Sequence, residues 1–241
     1  VDQQQSRGRT PRRADLGSDQ QLSSKVAAYV REGIMVGQFR AGEYVRTERL
    51  ADELGVSPTP VREALMLLGS EGSVKWEPRK GYRVVPLTLQ DVRDLFQVQA
   101  HIAGELAFRA ASKLSDEAMN ELEELQRLLE KAEEQQDYDL LDALNHKVHS
   151  RINKASNSGR LVTLLNTTVG YVPLRYLSAI QGWAEASVHD HQPILVALRN
   201  RDADTARKAM HEHIDHVGQL LVEHLVNNQV LAGDAAVHEP A

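Results

Sequence analysis

The stretch Leu50 to Gly72, LADELGVSPTPVREALMLLGSEG, restricts the fold of this chain more than any other. Leu50, Ala51 and Leu54 fall on one apolar face of a short helix. Gly55 is placed to end it, because glycine takes left-handed backbone angles without steric cost. Val56 is the apolar residue of the turn, and Ser57 leads into a second helix. Thr59 is a candidate cap for that helix, with Pro60 in the first turn, where a missing N–H does no harm. Val61, Leu65 and Leu68 then face inward, which leaves Ser57, Thr59 and Arg62 near the N-terminal end of the outer side. A helix, a glycine turn and a second helix make either a DNA-binding helix-turn-helix or an ordinary αα-hairpin. In the first case the second helix enters the major groove with its N-terminal residues leading. The stretch by itself leaves both open. Arg62 suits a phosphate or a guanine edge, and equally an ion pair with a surface Glu.

The flanking segments narrow the choice. Residues 1–18 carry Arg7, Arg9, Arg12 and Arg13 without apolar periodicity and read as a disordered arm. A helix starts at Ser23 or Ser24, with Val26, Tyr29, Val30 and Ile34 at helical spacing, and Gly37 closes it. Ala41-Gly42 reads as a turn and Tyr44-Val45 as a short strand, with Thr47 as cap of the helix that holds Leu50. After the helix pair, residues 73–77 and 82–85 read as two strands around Pro78-Arg79-Lys80-Gly81. A hairpin with a basic tip directly behind a helix pair is the order of a winged helix. Such a tip reaches the DNA backbone or the minor groove.

Charge supports a division of the chain. Up to Pro86 there are 14 Lys and Arg against 11 Asp and Glu, a net of +3, while the remainder carries −9 of the overall −6. A basic front and an acidic rear point to two domains with different partners. Pro86 marks the boundary, since a proline pushes the residue before it out of helix. The domains expected are a winged helix over 19–86, an all-helical domain over 87–227 and a flexible tail over 228–241. The absence of Cys fits a reducing cytoplasm. No apolar run approaches the roughly 18 residues of a membrane span, so no membrane partner is expected.

The fold class is mainly α, with an antiparallel bundle of about six helices behind the winged helix. Thr88 and Asp91 form a capping box for a helix with the stripe Val92, Leu95, Gln99, Ile102 and Leu106, ending near Lys113. Ser115 caps a second helix, with Met119, Leu122, Leu125 and Leu129 inward. Further helices are expected over 138–155, over 159–180 with breaks at Gly170 and Pro173, over 187–199 with Pro193 straining its early turns, and over 202–226.

All ten histidines lie in this rear region. Most sit at polar positions, but two fall on apolar stripes and a third shares a face with an inward Asn. His213 lines up with Ala206, Met210, Val217 and Leu220, and His191 with Leu195 and Leu198. His149 shares a face with Asn145, one turn earlier. A single buried histidine is usually a hydrogen-bonded core residue. Three imidazoles and an amide oxygen inside one bundle can hold a divalent metal. A metal-dependent hydrolase or oxygenase would also need a general base beside that set. Asp142 lies two turns from His149, about 10 Å along the axis. Asp190 adjoins His191 in sequence and so points to another side. The enzyme reading is therefore set aside in favour of a binding protein, with a purely structural role for the histidines as a further alternative.

Residues 37–86 resemble the DNA-binding domain of the GntR family of bacterial transcription regulators, through AGEYV, LADELGVS, TPVREAL and the Lys80-Gly81 of the hairpin. The resemblance implies that Ser57, Thr59, Arg62, Lys80 and Gly81 contact operator DNA. Many members carry Arg where this chain has Pro58, and another where it has Glu48, with Arg49 as the neighbouring substitute. Residues 88–226 are similar to the all-helical FCD ligand-binding domain of the FadR subgroup, through VHSRINKASNS, DHQPILVALRNRD and MHEHI. That similarity implies a metal, zinc or nickel, held by Asn145, His149, His191 and His213, with Asn145 standing where Asp is common. It implies a small organic acid as effector. Gln99 occupies a place where Arg is frequent, and Arg175 is the candidate replacement for binding the acid. The function so implied is a homodimeric, non-enzymatic repressor of the cytoplasm, its grip on a two-fold operator controlled by the effector.

Overall fold

The computed structural model describes residues 15–35, 37–171 and 180–227. Arg175, residues 1–14 of the expected arm and the expected tail lie outside the described residues. The chain divides into two compact units, Val1–Pro86 and Leu87–Ala241.

The first unit opens with α1 (Asp15–Met35), which begins well before Ser23, so residues 15–18 are helical and do not belong to an arm. Serines at 23 and 24 are weak stops inside a run of good helix formers, and the Leu22, Val26, Val30 spacing carries the helix through them. Gly37 closes it with φ +75°. Strand β1 (Tyr44–Val45) leads into α2 (Thr47–Leu54) and α3 (Pro58–Ser70), followed by β2 (Val74–Glu77) and β3 (Gly81–Val84). Both expected caps move. Arg46, extended as it leaves β1, is the N-cap of α2, and Thr47 is its buried first residue. Ser57, not Thr59, is the N-cap of α3, because Pro58 already has the φ of a first helical residue. Gly55 takes φ +65° between the two helices.

The strands form one antiparallel sheet in the order β1-β3-β2, with Tyr44 opposite Arg83 and Trp76 opposite Tyr82. The isolated strand expected at Tyr44-Val45 therefore completes the hairpin as its third strand. Val30, Leu50, Val61, Leu65, Leu68 and Val84 build the core under this sheet. Arg31 clamps Glu71 through two hydrogen bonds of 2.9 and 2.6 Å, fixing α1 to the end of α3.

The second unit is helical among its described residues. It contains α4 (Leu89–Ala111), α5 (Asp116–Glu134), α6 (Tyr138–Ala155), α7 (Gly159–Val169), α8 (Trp183–His189), α9 (His191–Arg199) and α10 (Ala203–Asn227). Thr88 and Asp91 form the expected capping box on α4, and Ser115 accepts from the Ala118 N–H on α5. The helix expected over 187–199 is instead two helices that meet at Asp190. Pro193 falls in the first turn of α9, where no intrahelical bond is lost. Counting these halves as one, the bundle has about six helices.

Helices α4 and α10 are pressed together by glycines. A Cβ on Gly104 would stand 2.9 Å from the Arg207 carbonyl oxygen, and one on Gly218 would stand 2.6 Å from Phe96 Cβ. The inward stripe of α4 accordingly runs through Phe96, Ala100, Ala103 and Ala107, beside the expected Val92, Gln99 and Leu106. On α10 the buried position is Leu221, one residue past the expected Leu220.

Candidate functional site

Three histidines from three helices meet at one point of the second unit. His149 comes from α6, His191 is the first residue of α9, and His213 comes from the middle of α10. His149 Nε2 lies 3.3 Å from His191 Nε2 and 3.2 Å from His213 Nε2. His191 and His213 are buried, while His149 is partly exposed. The break at Asp190 is what starts α9 at His191 and turns that ring toward the other two.

The outer nitrogens decide what the inner ones offer. His191 Nδ1 lies 3.1 Å from Gln126 Oε1, and Gln126 uses its own Nε2 to donate to the Val188 carbonyl. Since the amide oxygen can only accept, His191 Nδ1 carries the proton. His213 Nδ1 lies 3.3 Å from Asp190 Oδ2, which also accepts from His216 Nδ1 at 2.8 Å. Its Nδ1 is protonated too. In the neutral state, therefore, both Nε2 atoms present bare lone pairs toward His149 Nε2, which can donate at most one proton to one of them. Carboxylate and amide partners behind the rings are the usual second layer of a metal site.

A divalent ion resolves this surplus of lone pairs. Two nitrogens each about 2.0–2.1 Å from one ion at a tetrahedral angle stand roughly 3.3–3.4 Å apart, close to the observed separations. Asn145 lines the same wall, and its Oδ1 is buried without a hydrogen-bond partner among the described residues. An orphaned acceptor one turn before His149 fits a fourth ligand. The residues present thus fit the metal that the sequence suggests.

The electrostatics favour the deprotonated, ligating form. Loss of hydration, then the positive charge of His213 and His146 when protonated, lowers His149 from 6.5 to about 3. Burial, followed by the same effect from His213 and His149, pushes His191 well below 6.5. For Asp190, burial raises the carboxyl, but the hydrogen bonds from His213 and His216 outweigh it and hold the group below its usual range. Asp190 is thus an anion held against outer imidazole nitrogens. The sequence reading had it pointing away from the histidines, whereas it reaches the back of His213, through the side that the Asp190 break opens.

A cavity of about 520 Å³ opens beside the cluster, with His149, His213 and Asn145 on its wall. Phe96, Ala103, Val162, Trp183 and Val217 make it largely apolar, and Gln99, Asp142 and Lys154 add polar groups.

In the first unit, Ser57, Thr59 and Arg62 are exposed at the N-terminal end of α3. Arg62 has no ion-pair or hydrogen-bond partner among the described residues and is free to meet an external one. Arg49 is differently placed, with its Nε 2.9 Å from Glu53 Oε1. Lys80 lies 3.6 Å from Glu77 and 5.5 Å over the Tyr44 ring. Gly81 has φ +103°, and a Cβ there would stand 2.9 Å from the Val45 carbonyl oxygen and 3.5 Å from Arg46 Cγ. The stem of Arg46 therefore lies over this glycine. Arg46, Lys75 and Arg79 are exposed cations of the same unit; Arg79 belongs to the basic hairpin tip expected from sequence, whereas Arg46 and Lys75 carry no such sequence signal.

Gln126 and Asp190 were missed as well. For Gln126 a signal existed, since it is a polar residue on the inward stripe of Met119, Leu122 and Leu129. Asp190 offered none, because its role depends on the helix break.

Comparison with known proteins places these two units. Residues 94–216 match the model of the FCD domain, and residues 22–84 match that of the bacterial regulatory proteins of the gntR family. A gluconate operon transcriptional repressor of Bacillus licheniformis is 23% identical over 218 residues, covering 88% of this chain and 89% of that protein. The HTH-type transcriptional repressor RspR of Escherichia coli is 25% identical over 208 residues, covering 85% and 90%. Among solved structures, E. coli McbR/YncC shares the fold with a TM-score of 0.64, at 24% identity over 84% of this chain and 98% of that one.

Proposed function

This chain belongs to the bacterial regulators that join a gntR-type DNA-binding region to an FCD domain, and from that premise we propose that it is a homodimeric repressor whose hold on operator DNA is relaxed by a small carboxylate effector. Proteins of this family regulate transcription by binding DNA and carry out no chemical reaction, so the enzyme reading falls away. The finer reading places the chain in the FadR subgroup, acting in the cytoplasm. Residues 19–86 form its operator-binding domain, and residues 87–227 form its dimerisation and effector domain. Two similar proteins being repressors supports the sign of the regulation.

The observation that carries the proposal is the meeting of three imidazole nitrogens within 4.8 Å of one another beside a cavity that His149 and His213 line, next to an Asn145 Oδ1 with no partner among the described residues. Asn145, His149, His191 and His213 would hold the ion, zinc or nickel, both of which imidazole nitrogens suit. When bound, the ion supplies a coordination position for a carboxylate oxygen. Gln126 and Asp190 orient His191 and His213 from behind. The apolar wall shapes the rest of the ligand, with Arg175 as a further partner for its carboxylate. On the DNA side, Ser57, Thr59 and Arg62 read the major groove, while Arg49, Lys80 and Gly81 meet the backbone beside it. Each protomer takes one half-site of a two-fold operator. The effector and the operator are then linked by a coupling free energy between two sites.

The metal content of the purified full chain tests the site. The wild type should carry about one ion per chain and His191→Ala should lose it, with the helical content of both unchanged. Equal stoichiometry in the two proteins would remove the proposed site.

A further inference from the structure

Gln99 is a polar residue on the apolar stripe of α4 and is only 4% exposed. It lines the cavity together with Phe96, Ala103 and Asn145. Its Nε2 is buried and has no hydrogen-bond partner among the described residues. Three side chains among the described residues carry such an orphaned atom. Asn145 Oδ1 is an acceptor that the metal accounts for, and Ser187 does not line the cavity. The Gln99 nitrogen remains, a donor with nothing to donate to. Leaving a buried N–H unpaired is costly, and folded proteins keep few of them without a use. Nothing in the packing of α4 asks for an amide at this position, since Val92, Phe96, Ala103 and Leu106 on the same stripe are apolar.

We infer that the Gln99 amide nitrogen anchors the ligand of this cavity by donating a hydrogen bond to an uncharged oxygen, so that the effector is a hydroxy- or oxo-monocarboxylic acid and not a dicarboxylic acid. The inference rests on the reading of the cavity as the effector site. A neutral amide offers a directed donor but no counter-charge. A second carboxylate buried against it would give up its hydration without an ion pair from this residue in return. A hydroxyl or carbonyl oxygen gives up far less and gains a full hydrogen bond. A site built on such a bond also rejects analogues that lack the matching atom, because the protein donor is then left dry.

The test uses the full-length chain loaded with zinc, in a Trp76→Phe background, so that Trp183 on the cavity wall is the single fluorescent reporter. Hydroxy- and oxo-monocarboxylic acids of three to six carbons are titrated against the dicarboxylic acids of equal length. The best of the first set should bind at least tenfold more tightly than its dicarboxylic counterpart. Gln99→Leu should weaken that binding at least tenfold and abolish the preference, and Gln99→Arg should shift it toward dicarboxylates. The ligand-free Gln99→Leu protein should melt roughly 2–4 °C higher than the parent, as expected when an unpaired buried donor is replaced by a well-sized apolar group. A lower melting temperature would mean that Gln99 is a satisfied core residue, and this result, a preference for dicarboxylates, or no binding of the first set would each overturn the inference. Metal content measured on the same samples separates the two levels. Loss of zinc from the parent counts against the effector-site reading itself, whereas zinc present with the wrong ligand preference counts against Gln99 alone.

Discussion

His149, His191 and His213 illustrate how a residue's neighbours set its chemistry. His149 and His191 would each titrate near 6.5 in an unfolded chain. In the folded bundle His149 is lowered to about 3 and His191 well below 6.5, so both are neutral at physiological pH and available as ligands. The same shifts govern stability. A group with a depressed folded pKa contributes stability in full above its unfolded value and loses it as pH falls toward the folded value. The metal-free protein should therefore become less stable from pH 6.5 downward toward 3. Melting temperatures of the chelator-treated chain at pH 7 and pH 5 check this, with a clear fall expected and a smaller one in His149→Gln. Identical slopes for the two proteins would contradict the assignment. His191 and His213 were legible from sequence because each sits on an apolar stripe, and His149 because it shares a face with Asn145. Their partners were less so. Gln126 shows as a polar interruption of a stripe, whereas Asp190 becomes a partner of His213 only because the chain breaks there.

At the scale of elements, most helices and strands follow from their periodicity and caps, and the differences have local causes. Pro58 starts α3 two residues before Thr59 would. A run of helix formers carries α1 through Ser23 and Ser24. The single helix expected over 187–199 splits at Asp190, because residues 183–189 make a short helix of their own that no stripe announces. The packing of α4 on α10 was not legible either, since close approach depends on glycines whose partners are distant in sequence. A Cβ on Gly218 would stand 2.6 Å from Phe96 Cβ, and Phe96 is also a wall of the cavity. Gly218→Ala should therefore destabilise the chain by about 1–3 kcal/mol, through overpacking. Gly159→Ala is the control, because nothing stands within 4 Å of its Cβ position at the start of α7. Thermal unfolding of the two variants should differ in this order, and an unaffected Gly218→Ala would show that the two helices are packed less tightly than described.

At the scale of the whole molecule, charge and chemistry are divided between the two units. The front is basic and presents Arg62, without a partner among the described residues, near the start of α3, while the rear is acidic and holds every histidine of the chain. Electrostatic attraction to phosphates is confined to the part that binds DNA, and the acidic part is free to sense a ligand. No helix among the described residues is long and apolar enough to cross a membrane. The fold class and the family resemblance were readable from short motifs, because a winged helix has a fixed order of helix, turn, helix and hairpin. On the proposed reading, the operator and the effector depend on individual side chains such as Pro58, Arg46 and Gln99, which motifs do not specify.

The central claim is that the histidine site controls DNA binding. It is tested most directly by the affinity of the metal-loaded full chain for the DNA upstream of its own gene, at physiological salt, with and without the small carboxylic acids that bind the cavity. The account predicts specific binding by the wild type, lost in Arg62→Ala and weakened at least tenfold by the acid, and specific binding by His191→Ala that the acid no longer weakens. An acid response in His191→Ala equal to that of the wild type, or no specific binding by the wild type at all, would contradict it.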